Sequence, residues 1–160
     1  MSNVPPVVIA TLLVRILREA FEGPPGPWTY FTDTSAAAGV FGTIGALSAA
    51  EASRPAGPHG TTIAGHVQHL CSSLALTTRS LRGGPAERDR STSWTVAVVD
   101  RAQWSDLQAR LRNEFGALRV AIETHTAWGE DTMGDAIGVI AHTAYHLGAI
   151  RQRLAVQGGD

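Results

Sequence analysis

Apolar residues recur at three- and four-residue spacing in four stretches of the chain, the period of a helix with one buried face. The first stretch runs from Pro6 to Glu22 through Ile9, Leu12, Leu13, Ile16, Leu17 and Ala20. The second opens at Thr61 and Thr62, which can cap it, carries Ile63, Val67, Leu70, Leu74 and Leu81, and ends at Gly83-Gly84. The third has the cleanest period. Asp100 with Gln103 resembles a capping box, and Trp104, Leu107, Leu111, Phe115, Leu118 and Ile122 follow it. The fourth is predicted to start at Thr132 with Asp135 and to run to about Gln157. Its apolar residues (Ile137, Val139, Ile140, Ala144, Leu147, Ile150) lie around most of the circumference, which predicts a central position.

Proline and glycine separate these stretches at Gly23 to Pro27, Arg54 to Gly60 and Gly83 to Pro85, and follow the last at Gly158-Gly159. Trp28 to Ser53 predicts one or two additional short helices. Its Gly39, Gly42 and Gly45, three residues apart, permit close helix approach and hint at a packed interface. Ser93 to Val99 alternates and predicts a brief extended piece. The expected fold is all-α: one domain over residues 1–160, an antiparallel four-helix bundle with short helical segments between the first and second helices. A chain of 160 residues buries enough surface to need no staples.

Composition narrows the chemistry. All 13 basic residues are arginine, so lysine Schiff bases and P-loop phosphate binding are excluded. The lone Cys71 rules out an intramolecular disulfide and a four-cysteine metal site. A net charge of −1, with arginines dispersed from Arg15 to Arg153, argues against nucleic acid as a partner. The longest apolar run, Val7 to Val14, is broken by Thr11 and falls short of the roughly 20 residues that cross a bilayer. No positive charge precedes that run and no small-residue cleavage site follows it, so a cytoplasmic protein with no membrane partner is expected.

Chemistry enters with the histidines. His142 and His146 are four residues apart on the fourth helix, a spacing that stacks both imidazoles on one face within reach of a shared metal. Taken alone, the pair also fits an ordinary amphipathic helix, one ring on a backbone carbonyl and the other in solvent. A second group, His66-Val67-Gln68-His69, lies on the second helix. Two bundle helices contributing three imidazoles would leave the charge of a divalent ion uncompensated and a position open, as in catalytic sites. Either His66 or His69 fits as the third ligand, and a helical wheel leans to His66, which lies nearer the apolar stripe.

Two motifs carry a resemblance to a known family. Thr62-Ile63-Ala64-Gly65-His66-Val67-Gln68-His69-Leu70 and His142-Thr143-Ala144-Tyr145-His146-Leu147-Gly148-Ala149-Ile150-Arg151-Gln152 resemble the DinB-like proteins, also called YfiT-like metalloenzymes. The resemblance covers the chain in helix order and length, while its specific motifs are confined to these two stretches. It selects His69, His142 and His146 as ligands of a divalent metal of the nickel or zinc type, against the wheel's lean to His66. It also implies a four-helix bundle, frequent homodimers and a cytoplasmic setting. Some relatives look like thiol-dependent enzymes that transfer bacillithiol or mycothiol to electrophiles or isomerise maleylpyruvate. No thiol-binding signature is matched here, so a low-molecular-weight thiol is expected only by analogy.

The remaining candidates have plainer readings. His59 belongs to a Pro-Gly loop, and His125 ends the third helix near Trp128, where it suits the helix dipole. Cys71 reads as a small buried hydrophobe. Tyr145 could face the site or turn away from it, and Asp33 could be a carboxylate partner to a ligand histidine. A ferritin-like site is excluded because the chain has no Glu-x-x-His, and a metallopeptidase because it has no His-Glu-x-x-His. The expected function is therefore a divalent-metal-dependent enzyme, a thiol-dependent transferase or a hydrolase, acting on a small electrophilic substrate. The alternatives are a non-catalytic stress or binding protein that holds metal or a small ligand, and a purely structural dimer.

Overall fold

The computed structural model describes residues 4–57, 60–85 and 94–157. Within them the chain is all-helical, with no strand. The helices are α1 (Pro6–Glu22), α2 (Val40–Gly45), α3 (Ala49–Ala52), α4 (Ile63–Leu81), α5 (Arg101–Thr124) and α6 (Glu130–Gln157). No helix among the described residues is long and apolar enough to cross a membrane. His59, Ser93 and Gly158-Gly159 lie outside the described residues.

Local chemistry sets most boundaries where the pattern places them. Pro5 and Pro6 start α1, because a missing N–H costs nothing in a first turn. Thr62 caps α4 by accepting from the Gly65 amide at 3.0 Å. At the other end of α4, Gly83 takes φ +77°, Gly84 N–H bonds the Arg79 carbonyl and Gly83 N–H that of Ser80, the six-to-one and five-to-two pair of a Schellman motif. The Asp100 and Gln103 capping box of α5 is formed in both directions.

The start of α6 differs from the pattern. The helix begins at Glu130 because Met133 N–H already bonds the Gly129 carbonyl, and the Thr132 hydroxyl reaches back to accept from Gly129 N–H. Asp135, expected with Thr132 at the start of the helix, lies within it and accepts from Ser80 Oγ across on α4 at 2.6 Å. The stretch 95–100 is neither helix nor strand. The Gln68 side chain fixes it, donating to Thr95 Oγ1 at 2.7 Å and accepting from Val96 N–H at 3.0 Å.

The apolar stripes meet in a shared core. Leu17 and Phe21 of α1, Ile63, Leu70 and Leu74 of α4, Leu111, Leu118 and Ile122 of α5 and Ile150 of α6 are fully buried. Phe21, Phe41 and Phe115 close one end, with ring centroids 5.0–5.4 Å apart. The four long helices make a closed ring of neighbours, α1 packing on α5 and α6, and α4 on the same two. The most completely buried helix is α4, whereas α6 is not central as its composition predicts: Ile137 is 53% exposed and Val156 75%. Among the three spaced glycines, Gly39 and Gly42 serve the chain's own packing. A Cβ on Gly39 would lie 2.5 Å from the Phe21 carbonyl oxygen and one on Gly42 2.7 Å from Ala37 Cα, while Gly45 has open space around it.

Candidate metal centre

The helices α4 and α6 run in opposite directions along their contact, since His66 meets His146, His69 meets His142 and Ser80 meets Asp135. This register brings two histidines from each helix to one level. One ligand nitrogen each from His69, His142 and His146 lies within 4.8 Å of the other two. His142 Nε2 is 2.9 Å from His69 Nε2 and 3.2 Å from His146 Nε2. Two nitrogens each ~2.0–2.1 Å from one ion at a tetrahedral angle would be about 3.3 Å apart, so the spacing suits a single small cation with little rearrangement.

Burial grades the centre from inside to outside. His146 is 2% exposed, whereas His69 and His142 are half-buried and form the rim. Burial is the main reason that the pKa of His146 is pushed down to about 3, with His142, His66 and His69 adding to it. His66 is lowered to about 4, again first by burial and then by the nearby Arg153 cation and His69. Both rings are therefore neutral at physiological pH, the state in which an imidazole offers a lone pair.

Trp94 forms one wall. Its ring stacks on His69 at 4.4 Å and 17° and meets His66 and His146 at 5.3 and 5.8 Å. Sequence reasoning gives Trp94 no part in the site, because a contact made across two segments leaves no periodic trace. The nearest clue is Gln68, a buried amide beside His69 whose bonds hold the 95–96 backbone in place. Tyr145 lies on the outside, 70% exposed, with its ring edge-on to His146 at 5.2 Å.

The other candidates fall elsewhere. Asp33 gives its carboxylate to Arg151 and to the Ser35 amide, and the Arg151 bond holds its pKa well below the usual range, so its partners are not ligand histidines. His125 caps α5 through its backbone N–H on the Ile122 carbonyl, and its ring lies between the Leu81 carbonyl, 3.1 Å from Nδ1, and that of Ala127, 3.2 Å from Nε2, a link between helix ends. The Cys71 thiol is fully buried, and burial raises its pKa to about 12, so it is no nucleophile. His66, favoured by the wheel, is close to the centre but faces it with neither nitrogen: Nδ1 meets His146 Nδ1 at 2.7 Å and Nε2 meets Thr61 Oγ1 at 3.1 Å. No protein-family model, curated protein or solved structure matches the chain, and the chemistry of the centre rests on its own residues.

Proposed function

We propose that this chain is a metal-dependent enzyme of the DinB-like type, an antiparallel four-helix bundle in which His69, His142 and His146 hold one divalent ion of the nickel or zinc class. The observation that carries this reading is the approach of three imidazole nitrogens from two helices to within 4.8 Å of one another. The bundle is supported by the closed ring of packing, in which α1 and α4 share α5 and α6 as neighbours and so occupy diagonal positions. When bound by three neutral imidazoles, a divalent ion supplies Lewis acidity that lowers the pKa of a water or a low-molecular-weight thiol to near neutrality.

The chain's own residues bind and orient. His146 is fixed in the interior, His142 bridges it to His69, and Trp94 limits the rotation of His69 by stacking on it. The chain has no lysine, and its one thiol, Cys71, is buried with its pKa raised, so neither an amine nor a thiolate of its own is available as nucleophile. The proposed substrate is a small electrophile, attacked by an activated water or by a thiol co-substrate.

The test is a screen of untagged, metal-loaded protein against pairs of low-molecular-weight thiols and electrophiles, with hydrolysis measured in parallel. Turnover that disappears in His142→Ala is expected. Stoichiometric metal with no turnover in any pair would overturn the enzymatic reading in favour of a metal- or ligand-binding protein.

A further inference from the structure

His66 and His146 make the shortest contact between histidines in the centre, Nδ1 to Nδ1 at 2.7 Å, in surroundings where His66 is 7% exposed and His146 2%. Two neutral ring nitrogens at that distance share one hydrogen, carried by one ring and accepted by the other. Excluded from water, the pair has its proton placement set by the protein around it.

We propose that His66 is a positioning residue that fixes the tautomer and ring orientation of His146, so that the His146 Nε2 lone pair faces His69 and His142. This inference rests on reading those three residues as a metal centre. For Nε2 of His146 to present a lone pair, the ring's hydrogen must sit on Nδ1, from where it is donated to His66 Nδ1. The hydrogen of His66 then sits on Nε2 and is donated to Thr61 Oγ1 at 3.1 Å. Thr61 is held in turn through its carbonyl, which accepts from the Arg153 guanidinium and from Ala56 N–H at 3.2 Å. Arg153 lies two turns beyond His146 on α6, so the chain of bonds leaves α6, passes through α4 and the segment before it, and returns to α6.

The opposite register of the same chain has the reverse consequence. With the Thr61 hydroxyl donating to His66 Nε2 and His66 Nδ1–H donating to His146 Nδ1, the hydrogen of His146 moves to Nε2. There it points at His142 Nε2, 3.2 Å away, and closes the ligand position. The same heavy-atom positions accept both registers, and only the first is compatible with a metal. Partners of this kind, which orient a ligand histidine through its second nitrogen, change metal affinity by about 10–100-fold when removed.

The test combines nitrogen-15 spectra of the imidazoles with zinc titration. In the zinc-loaded protein His146 is expected to be protonated at Nδ1 and His66 at Nε2. The zinc Kd is expected to rise about 10–100-fold in His66→Leu, which can accept no hydrogen bond, and to recover in His66→Gln, whose side-chain carbonyl can. A His146 protonated at Nε2 with zinc bound, or a wild-type Kd in His66→Leu, would overturn the role of His66. Should His66→Leu fail to fold, the wild-type spectra alone decide. Failure of the wild-type protein to take up zinc would instead overturn the metal centre itself, and this inference with it.

Discussion

Glu19 and His146 are both 2% exposed, yet they are buried among opposite kinds of neighbour. The Glu19 carboxylate accepts from the amides of Tyr30, Phe31 and Thr32 and from the Thr32 hydroxyl at 2.8–3.0 Å. Burial alone would raise its pKa, but the Phe31, Tyr30 and Thr32 bonds outweigh burial and leave it below the ordinary carboxylate value. Every group around it donates, so it is a completed clasp that holds the 30–32 backbone against α1. Around His146, ring nitrogens face other ring nitrogens at 2.7 and 3.2 Å. Each such contact needs a hydrogen or a cation between its two lone pairs. Buried polarity that is already matched by donors is structural, and buried polarity built from facing acceptors is prepared to take something up.

The contrast breaks most visibly at Glu19. Glu19→Ala strands three amides and a hydroxyl and should cost about 3 kcal/mol or more in urea unfolding, by the same amount with and without zinc. A loss under about 1 kcal/mol would show that the clasp is not as complete as it looks.

At the histidine centre the effect should instead depend on metal. His142→Leu should cost the metal-free protein about 1–3 kcal/mol, since it removes the ring that meets His69 Nε2 and the buried His146 Nε2 at 2.9 and 3.2 Å. Zinc at 100 times its Kd should stabilise the wild type by about 2.7 kcal/mol and His142→Leu not at all. Equal zinc stabilisation of both proteins would remove His142 from the site.

The two centres also separate by pH. His66 and His146 bind protons less readily folded than unfolded, where imidazole titrates near 6.5. Between about pH 6.5 and 3 the unfolded state therefore holds more protons, and the metal-free protein loses stability as the pH falls through that window. Glu19 has a lowered pKa, so its contribution is present above its unfolded value of 4.5 and is lost only as the pH falls below that. Urea midpoints at pH 8, 6 and 5 should decline, and a flat profile would contradict the neutral, buried histidine pair. The smallest expected effect is at Cys71, which should resist thiol reagents in the folded protein at pH 8 with or without zinc, and react only on unfolding.

Much of this was legible in the chain itself. The α5 stripe from Trp104 to Ile122 is buried throughout, and Thr62, Asp100 and Gln103 cap as their spacing predicts. The α6 start was less legible, because Thr132 serves Gly129 and Asp135 serves Ser80, partners that no local motif announces. Apolar content also overstated the burial of α6, since Ile137 and Val156 are exposed. The spacing of His142 and His146 announces the pair, but the wheel leans to His66 over His69, because it records burial and not which ring turns a nitrogen to the centre. Trp94 and Arg153 join the site through long-range contacts, and Thr61 through its hydroxyl to His66 five residues on, none of which hydrophobic periodicity records.

The central claim is that His69, His142 and His146 share one divalent ion, and the most direct test is metal content. Untagged protein loaded with zinc and exchanged into metal-free buffer should retain one ion per chain by elemental mass spectrometry, and each of His69→Ala, His142→Ala and His146→Ala should lose it. Wild-type protein with no retained zinc or nickel, or single variants that keep a full complement, would contradict the account.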